Sequence, residues 1–179
     1  MSARTQKIAV KQLLEAIFPN SLVEKEKKFP WGSVSDTAAQ DYAEIYEPLH
    51  QSRGYTADQF AKKRAINYDF VVEDAKLIIE YDEKQHFTLQ RKISLENYPT
   101  DVVLYYDKAS WIAECERIHA RDNDPIYRDE QRAFRDSIRD ISAYRNGYKL
   151  IRIKDGDYDF ESADGERYLR EILSNNGVL

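Results

Sequence analysis

The stretch 67–88 constrains the fold of this chain most, because acidic residues interrupt two runs that otherwise favour strands. Residues 68–72 and 77–81 are β-branched and aromatic in most positions, as pleated strands favour. The connection 73–76 between them is polar and four residues long, a length that closes antiparallel strands. We therefore expect a β-hairpin with carboxylates on its strands.

Three carboxylates are expected to converge on this hairpin. Asp69 lies inside the first strand, while Glu80 and Asp82 lie at the end of the second, where strand alternation turns both to one face. Burying carboxylates on apolar strands is costly unless a cation pairs with them, and Mg²⁺ is a hard cation that prefers oxygen ligands. The pattern predicts a metal site of Asp69, Glu80 and Asp82. The alternative is that Glu80 and Asp82 only mark where the strand reaches solvent.

The spacing of these residues carries a resemblance to a known family. Asp69 is followed after eleven residues by Glu80, and His86 lies six residues beyond Glu80. This resembles the restriction-endonuclease-like PD-(D/E)XK superfamily, in the branch of the very-short-patch mismatch-repair endonucleases. In that branch a strand Asp, an acidic or hydroxyl residue on the next strand and a His six residues later form the site. The resemblance implies an αβββαβ core, a mixed sheet flanked by helices.

Two positions depart from the family pattern. Tyr68 precedes Asp69 where the family usually has Pro, and Asp82 stands where it usually has Lys. The nearby candidates for the role of that lysine are Lys84, Gln85 and His86.

The resemblance also implies a fourth acid from the first helix. Glu15 lies near the apolar stripe of a predicted helix over 5–18, and a Glu from this helix approaches the metal in the superfamily. The alternative is an exposed Glu15 that pairs with Lys11 four residues earlier.

Composition describes a globular protein. With 179 residues, 42% hydrophobic residues, 12% aromatics and 33% charged residues, we expect a single nuclease-like domain over 1–179 with its own core and no membrane span. The first residues lack the apolar core of a signal peptide, and the single Cys115 forms neither an internal disulfide nor a cysteine cluster for zinc. These features predict a cytoplasmic location.

The remaining elements are predicted from periodicity and from breaker residues. We expect an edge strand over 21–29 and a turn at 29–32, with a helical insertion at about 36–64 formed by helices over 36–46 and 56–64. A polar connection over 94–100 and a buried strand over 102–106 should follow the hairpin. Helices over 108–120 and 127–145, a strand over 148–153 and a helix over 161–173 complete the order. This order is compatible with the αβββαβ core.

Arginines are concentrated on the predicted helix over 127–145. Arg128, Arg132, Arg135 and Arg139 follow one stripe, which suits contact with DNA phosphates. The alternative is a salt-bridged surface, because aspartates alternate with these arginines. The basic cluster 62–64 directly precedes the hairpin and is a second candidate for DNA contact.

The net charge of −5 argues against binding nucleic acid by bulk electrostatics, but phosphate contacts need only a local basic face. We therefore expect a Mg²⁺-dependent DNA endonuclease, with Mn²⁺ able to substitute, which acts in restriction, repair or homing. Asp69, Glu80 and Asp82 would hold metal, and His86 would transfer a proton, with Lys84 and Gln85 as further candidates.

Two other readings stay open. The first is a catalytically silent DNA-binding or assembly domain of the same fold, and the second is an α/β domain that uses the same acids for a different metal-dependent reaction. The sequence does not determine the oligomeric state, and a homodimer is compatible with it.

Overall fold

The computed structural model describes residues 2–52, 60–122, 124 and 126–179. Helices and strands follow one another with short connections over most of this part of the chain. In chain order they are α1 (Ala3–Ile17), β1 (Val23–Val34), α2 (Ala38–Asp41), α3 (Ala43–Gln51), β2 (Arg64–Val72), β3 (Leu77–Asp82), a 3₁₀ helix (Lys84–His86), α4 (Leu89–Glu96), α5 (Lys108–Ile118), α6 (Arg128–Arg145), β4 (Lys149–Lys154) and α7 (Gly165–Asn175).

The described strands form one mixed, open sheet in the order β1-β2-β3-β4. The pairs β1–β2 and β2–β3 are antiparallel, whereas β4 returns after three helices to pair in parallel with β3. This arrangement confirms the α/β class and the mixed sheet flanked by helices. The order of elements is compatible with an αβββαβ core, and α2 and α3 lie between β1 and β2, where an insertion is predicted.

The sheet has helices on both faces. On one face, α1 and α7 pack against alternate residues of the central strands, including Phe70, Ile79 and Ile151. On the other face, α6 packs against Tyr68, Ile78 and their neighbours and extends into a second cluster with α3 and α4. Both faces of β3 are therefore covered, so its six residues are all buried. Any carboxylate on β3 must find its partners inside the protein.

The predicted hairpin is confirmed. Backbone pairing joins Val72 to Leu77 at the closed end of the hairpin. The turn 73–76 closes with a hydrogen bond of 2.9 Å from the Lys76 amide to the Glu73 carbonyl. Strand β1 at the sheet edge, strand β4 and helices α1, α5, α6 and α7 also form where they are predicted, with ends shifted by a few residues.

Strand β1 is longer than predicted, because residues 29–32 continue the strand instead of forming a turn. The β1–β2 register shifts between Lys28 and Ser33, so an irregular segment accommodates this part of an edge strand. A Cβ atom added at Gly32 would fall 2.3 Å from the hydroxyl oxygen of Tyr68, so the Tyr68 ring fills the space beside this glycine. Phe29 stacks on Trp31 beside the same ring, so aromatic packing holds the segment in the sheet.

Three other predictions need correction. The run 102–106 is not a strand; it is an irregular, partly exposed segment. The stretch 94–100 is not entirely a connection, because helix α4 continues to Glu96. Of the helix predicted over 56–64, residues 56–59 lie outside the described part, residues 60–63 are not helical and Arg64 begins β2. Within the described residues, no helix is long and apolar enough to cross a membrane.

Candidate active site

The two strands of the hairpin separate at the acidic residues. Backbone pairing of β2 with β3 runs from Val72 and Leu77 to Phe70 and Ile79, and ends there. Beyond that point side chains replace the ladder: the Asp69 amide donates to Glu80 Oε1, and the Tyr81 amide donates to Asp69 Oδ2, each at 3.0 Å. The two carboxylates therefore lie side by side where the hairpin opens, and both are fixed by backbone amides.

An irregularity in β2 gives Asp69 its position. Tyr68 and Val71 pack on the α6 side of the sheet, whereas Phe70 and Val72 pack on the α1 and α7 side. The alternation of side chains therefore slips by one residue between Tyr68 and Phe70. Asp69 occupies the slip, which explains how an aspartate fits within an apolar strand.

A cation from each helical layer approaches this carboxylate pair. Lys7 of α1 places Nζ 3.1 Å from Asp69 Oδ2 and 3.5 Å from Glu83 Oε1. Arg139 of α6 places Nε 3.4 Å from Glu80 Oε2. Burial lowers the pKa of Lys7, but Asp69 and Glu83 raise it above its ordinary value overall. Lys7 therefore stays charged at neutral pH.

Glu80 is buried, and the nearby cations only partly offset its charge. Burial first, and then the neighbouring Asp69 against the opposing effect of Arg139, raise the pKa of Glu80 to about 8. Additional positive charge beside this carboxyl would favour its ionised form.

Asp82 shares the α6 side of β3 with Glu80, as predicted, but it does not join the carboxylate pair. Its Oδ1 accepts a hydrogen bond of 2.7 Å from Arg152 Nη1, and its Oδ2 accepts one of 2.9 Å from Trp111 Nε1. Burial opposes ionisation, yet Arg152 and His86 lower the pKa of Asp82 below its ordinary value. Both oxygens are thus already bonded inside the protein, so Asp82 is a poor metal ligand.

His86 has a defined orientation and is linked to Glu80 through Asp136 and Arg139. Its Nδ1 is 2.9 Å from Asp136 Oδ2 and 3.6 Å from Asp82 Oδ1. Although burial opposes it, His86 and Arg152 hold the pKa of Asp136 well below its usual range, so Asp136 is ionised and only accepts. Nδ1 is therefore the donor in this contact, and Nε2 is the ring nitrogen that Asp136 does not engage.

The other predicted site residues lie away from the pair or point elsewhere. Lys84 is exposed, and the Gln85 side chain donates to Glu83 Oε2 at 3.2 Å. Glu15 is exposed and pairs with Lys11, so α1 reaches the site through Lys7 instead. The structure thus brings together Asp69 and Glu80, and it connects Glu80 to His86 through Arg139 and Asp136.

A buried network of charges behind the site was not predicted. Arg152 bonds Asp82 and also Asp140 Oδ1, at 2.8 Å, while Asp140 Oδ2 accepts a bond of 2.7 Å from Arg91. Arg152 is a charged residue within the apolar strand 150–153. A charge inside an apolar strand is also the signal that identifies Asp69, so Arg152 could have been found from the sequence. Lys7 carried no such signal, because a lysine near the start of a helix is commonplace.

The arginine stripe of α6 is mostly the salt-bridged surface given above as the alternative. Arg128 and Arg132 pair with Asp122 at 3.0 and 2.9 Å, and Arg139 pairs with Asp136 at 2.9 Å. Arg135 differs, since it forms no ion pair with any described residue.

The donor set suits a hard divalent cation in part. Within 2–52, 60–122, 124 and 126–179, no group of three or more His, Cys, Asp or Glu residues is arranged to hold a metal. Asp69 and Glu80 offer carboxylate oxygens at the opening of the hairpin, and burial, together with the charge of Asp69, raises the pKa of Glu80. Because Mg²⁺ commonly takes one or two carboxylates and keeps several waters, two ligands fit it. The predicted set is thereby reduced to Asp69 and Glu80.

Comparison of the chain with models of protein families, with curated proteins and with solved structures gives no match.

Proposed function

We propose that this chain is a Mg²⁺-dependent endonuclease that hydrolyses phosphodiester bonds in DNA, in the cytoplasm. The observation that carries the proposal is the Asp69–Glu80 pair, which lies at the opening of the hairpin with Lys7 and Arg139 beside it. Glu80 is buried and Asp69 is half-buried, backbone amides hold both carboxylates in place, and such a pair suits a divalent cation beside a phosphate.

Each residue of the candidate site has a role in this reaction. Asp69 and Glu80 would hold Mg²⁺, which when bound supplies positive charge against the phosphate and activates water. His86 would transfer a proton through Nε2, and Asp136 fixes its ring by accepting from Nδ1. Asp82 acts indirectly, because it and Asp136 both anchor the Arg152 guanidinium behind the histidine.

Lys7 is our candidate for the role of the lysine that the family pattern places two residues after Glu80. Its ammonium group lies 3.1 Å from Asp69 and is partly exposed, so it can also reach a phosphate oxygen or a water at the pair. Lys84 and Gln85 have no comparable contact with either carboxylate among the described residues.

The second candidate is a catalytically silent DNA-binding or assembly domain. The observation that favours it is that Lys7 and Arg139 already neutralise part of the negative charge without any metal, while Asp82 replaces the usual lysine. In that case the carboxylates would be structural ion pairs.

Plasmid cleavage separates the two candidates. We expect the protein to convert supercoiled plasmid to nicked or linear DNA with Mg²⁺ or Mn²⁺, and to leave it intact with EDTA or with Ca²⁺, whose looser geometry supports binding without turnover. Glu80→Gln should abolish the conversion, while Glu15→Gln, which also removes an acid but at an exposed position, should not. Cleavage that persists in Glu80→Gln would overturn the assignment of the site, and no cleavage with any of these ions would favour the silent domain.

A further inference from the structure

Arg135 is the one arginine of the α6 stripe that forms no ion pair with a carboxylate in the described part of the chain. Its Nη2 donates to Gln131 Oε1 at 3.1 Å, and its Nε is buried without a hydrogen-bond partner. Asp136, next along the helix, is bonded to His86 and Arg139. A half-buried guanidinium in this state is costly unless an anion compensates it.

Other arginines surround Arg135 and increase this cost. Arg132 and Arg139 lie about one turn away on either side along α6. Arg64 starts β2 opposite Val34, which is packed in the same cluster as Phe134, so Arg64 belongs to the α6 side of the sheet. Burial first, and then Arg64, Arg139 and Arg132 against the opposing effect of Asp136, lower the pKa of Arg135 to about 10. The surroundings of Arg135 therefore concentrate positive charge.

This cationic cluster adjoins the candidate active site. Arg132 Nη1 donates to the Gln85 carbonyl oxygen at 2.9 Å, on the chain segment that carries His86. Arg139 Nε lies 3.0 Å from the Asn67 carbonyl oxygen and 3.4 Å from Glu80. Arg135 stands between these two residues on α6, so it lies within one helical turn of contacts to both strands of the open hairpin and to the His86 segment.

We propose that Arg135 and Arg64 form a phosphate site that holds the DNA backbone next to the bond being cleaved. Guanidinium groups donate several N–H bonds in a fixed fork that matches phosphate oxygens. A bound phosphate would supply the missing counter-charge of Arg135. The identity of the phosphate as part of DNA rests on the proposed function, whereas an affinity for phosphate itself does not.

The test compares Arg135→Gln and Arg64→Gln with Arg170→Gln in the full-length chain. Arg170 serves as the matched control because it loses the same charge on α7, where Glu166 already pairs with it at 2.7 Å. Arg64 is exposed, so its substitution tests the site even if Arg135→Gln perturbs folding. One arm measures the melting temperature in inorganic phosphate against sodium chloride of equal ionic strength. The other measures DNA affinity against salt concentration in EDTA, so that no strand is cut.

We expect phosphate to raise the melting temperature of the wild type and of Arg170→Gln, and to have little effect on the other two variants. Each lost phosphate contact should lower the slope of log affinity against log salt by about 0.9. If Arg135→Gln changes neither the salt slope nor the effect of phosphate on the melting temperature, the inference is wrong. If Arg135→Gln loses the phosphate effect but keeps the salt slope, the site binds phosphate but not the DNA backbone.

The two proposals fail in different ways. If the protein cleaves plasmid normally but Arg135→Gln changes neither the phosphate effect nor the salt slope, only the phosphate site is wrong. Absence of cleavage, together with a phosphate effect that depends on Arg135, would count against the nuclease and leave an anion site of another purpose.

Discussion

At the scale of single residues, Glu80 shows how the hairpin holds a charge that the fold does not fully offset. Burial raises its pKa most and Asp69 raises it as well, while Arg139 lowers it. Asp82, two residues along the same strand, has the opposite outcome because a guanidinium contacts it directly. The two acids look alike in the sequence, and their partners decide that one is open to a cation and the other is part of the structure.

The raised pKa of Glu80 predicts a pH-dependent stability in the absence of metal. The folded state binds the proton up to a pH of about 8, against an ordinary pKa of 4.5. Between these values unfolding releases a proton, so stability falls as pH rises and is lowest above pH 8. Glu80→Gln is neutral at every pH, and its unfolding free energy from urea melts should rise relative to the wild type across this window. A difference that stays constant from pH 4.5 to 8 would contradict the prediction.

At the scale of elements, the open end of the hairpin depends on what α6 and β4 place behind it. Arg152 joins Asp82 to Asp140 and so connects β3, β4 and α6 through one guanidinium. Arg91 of α4 bonds the same Asp140. These contacts tie β3, which carries Glu80, to β4, α4 and α6.

Asp82→Asn tests whether this residue is structural. Removing one partner of a buried ion pair leaves the other charge uncompensated, at a typical cost of about 3–5 kcal/mol. We expect a loss of this order in the unfolding free energy, measured by urea denaturation at pH 7, where Asp82 is ionised. Glu15→Gln, whose ion pair is exposed, should change it by less than about 1 kcal/mol. An Asp82→Asn variant as stable as the wild type would show that the pair with Arg152 contributes little.

The elements that the sequence predicted are those that local patterns determine. The hairpin follows from two β-branched runs and a short polar connection, and the helices follow from apolar periodicity. The strand prediction for the apolar run 102–106 was wrong because an apolar composition does not specify a strand partner. Here the segment packs in part against neighbouring helices.

The candidate site was predictable only in part, for a related reason. Asp69 and Glu80 are eleven residues apart and meet across one hairpin, so alternation suffices to bring them together. The partner of Asp82 is seventy residues away, and His86 meets Asp136 across fifty residues. Such contacts depend on how helices cross the sheet, which no local pattern encodes.

At the scale of the whole molecule, the α1 layer and the α6 layer each place a cation at the open end of the hairpin, although the protein as a whole is acidic. The chain carries a net charge of −5, yet Lys7 from the α1 layer and Arg139 from the α6 layer both face the carboxylate pair. Arg135 and Arg64 extend this positive charge along α6. We therefore propose that phosphate binds at this local face and that the reaction takes place at the pair at its edge.

Binding of Mn²⁺, followed by the loss of the paramagnetic resonance signal of the free ion, tests the central claim most directly. We expect the wild type to bind the ion through Asp69 and Glu80, so that Asp69→Asn and Glu80→Gln each weaken binding by at least tenfold. Asp82→Asn, measured at a temperature where it is folded, should bind like the wild type, because Arg152 and Trp111 already occupy the oxygens of Asp82. Equal binding by the wild type, Asp69→Asn and Glu80→Gln, or no binding by the wild type at millimolar Mn²⁺, would contradict the account.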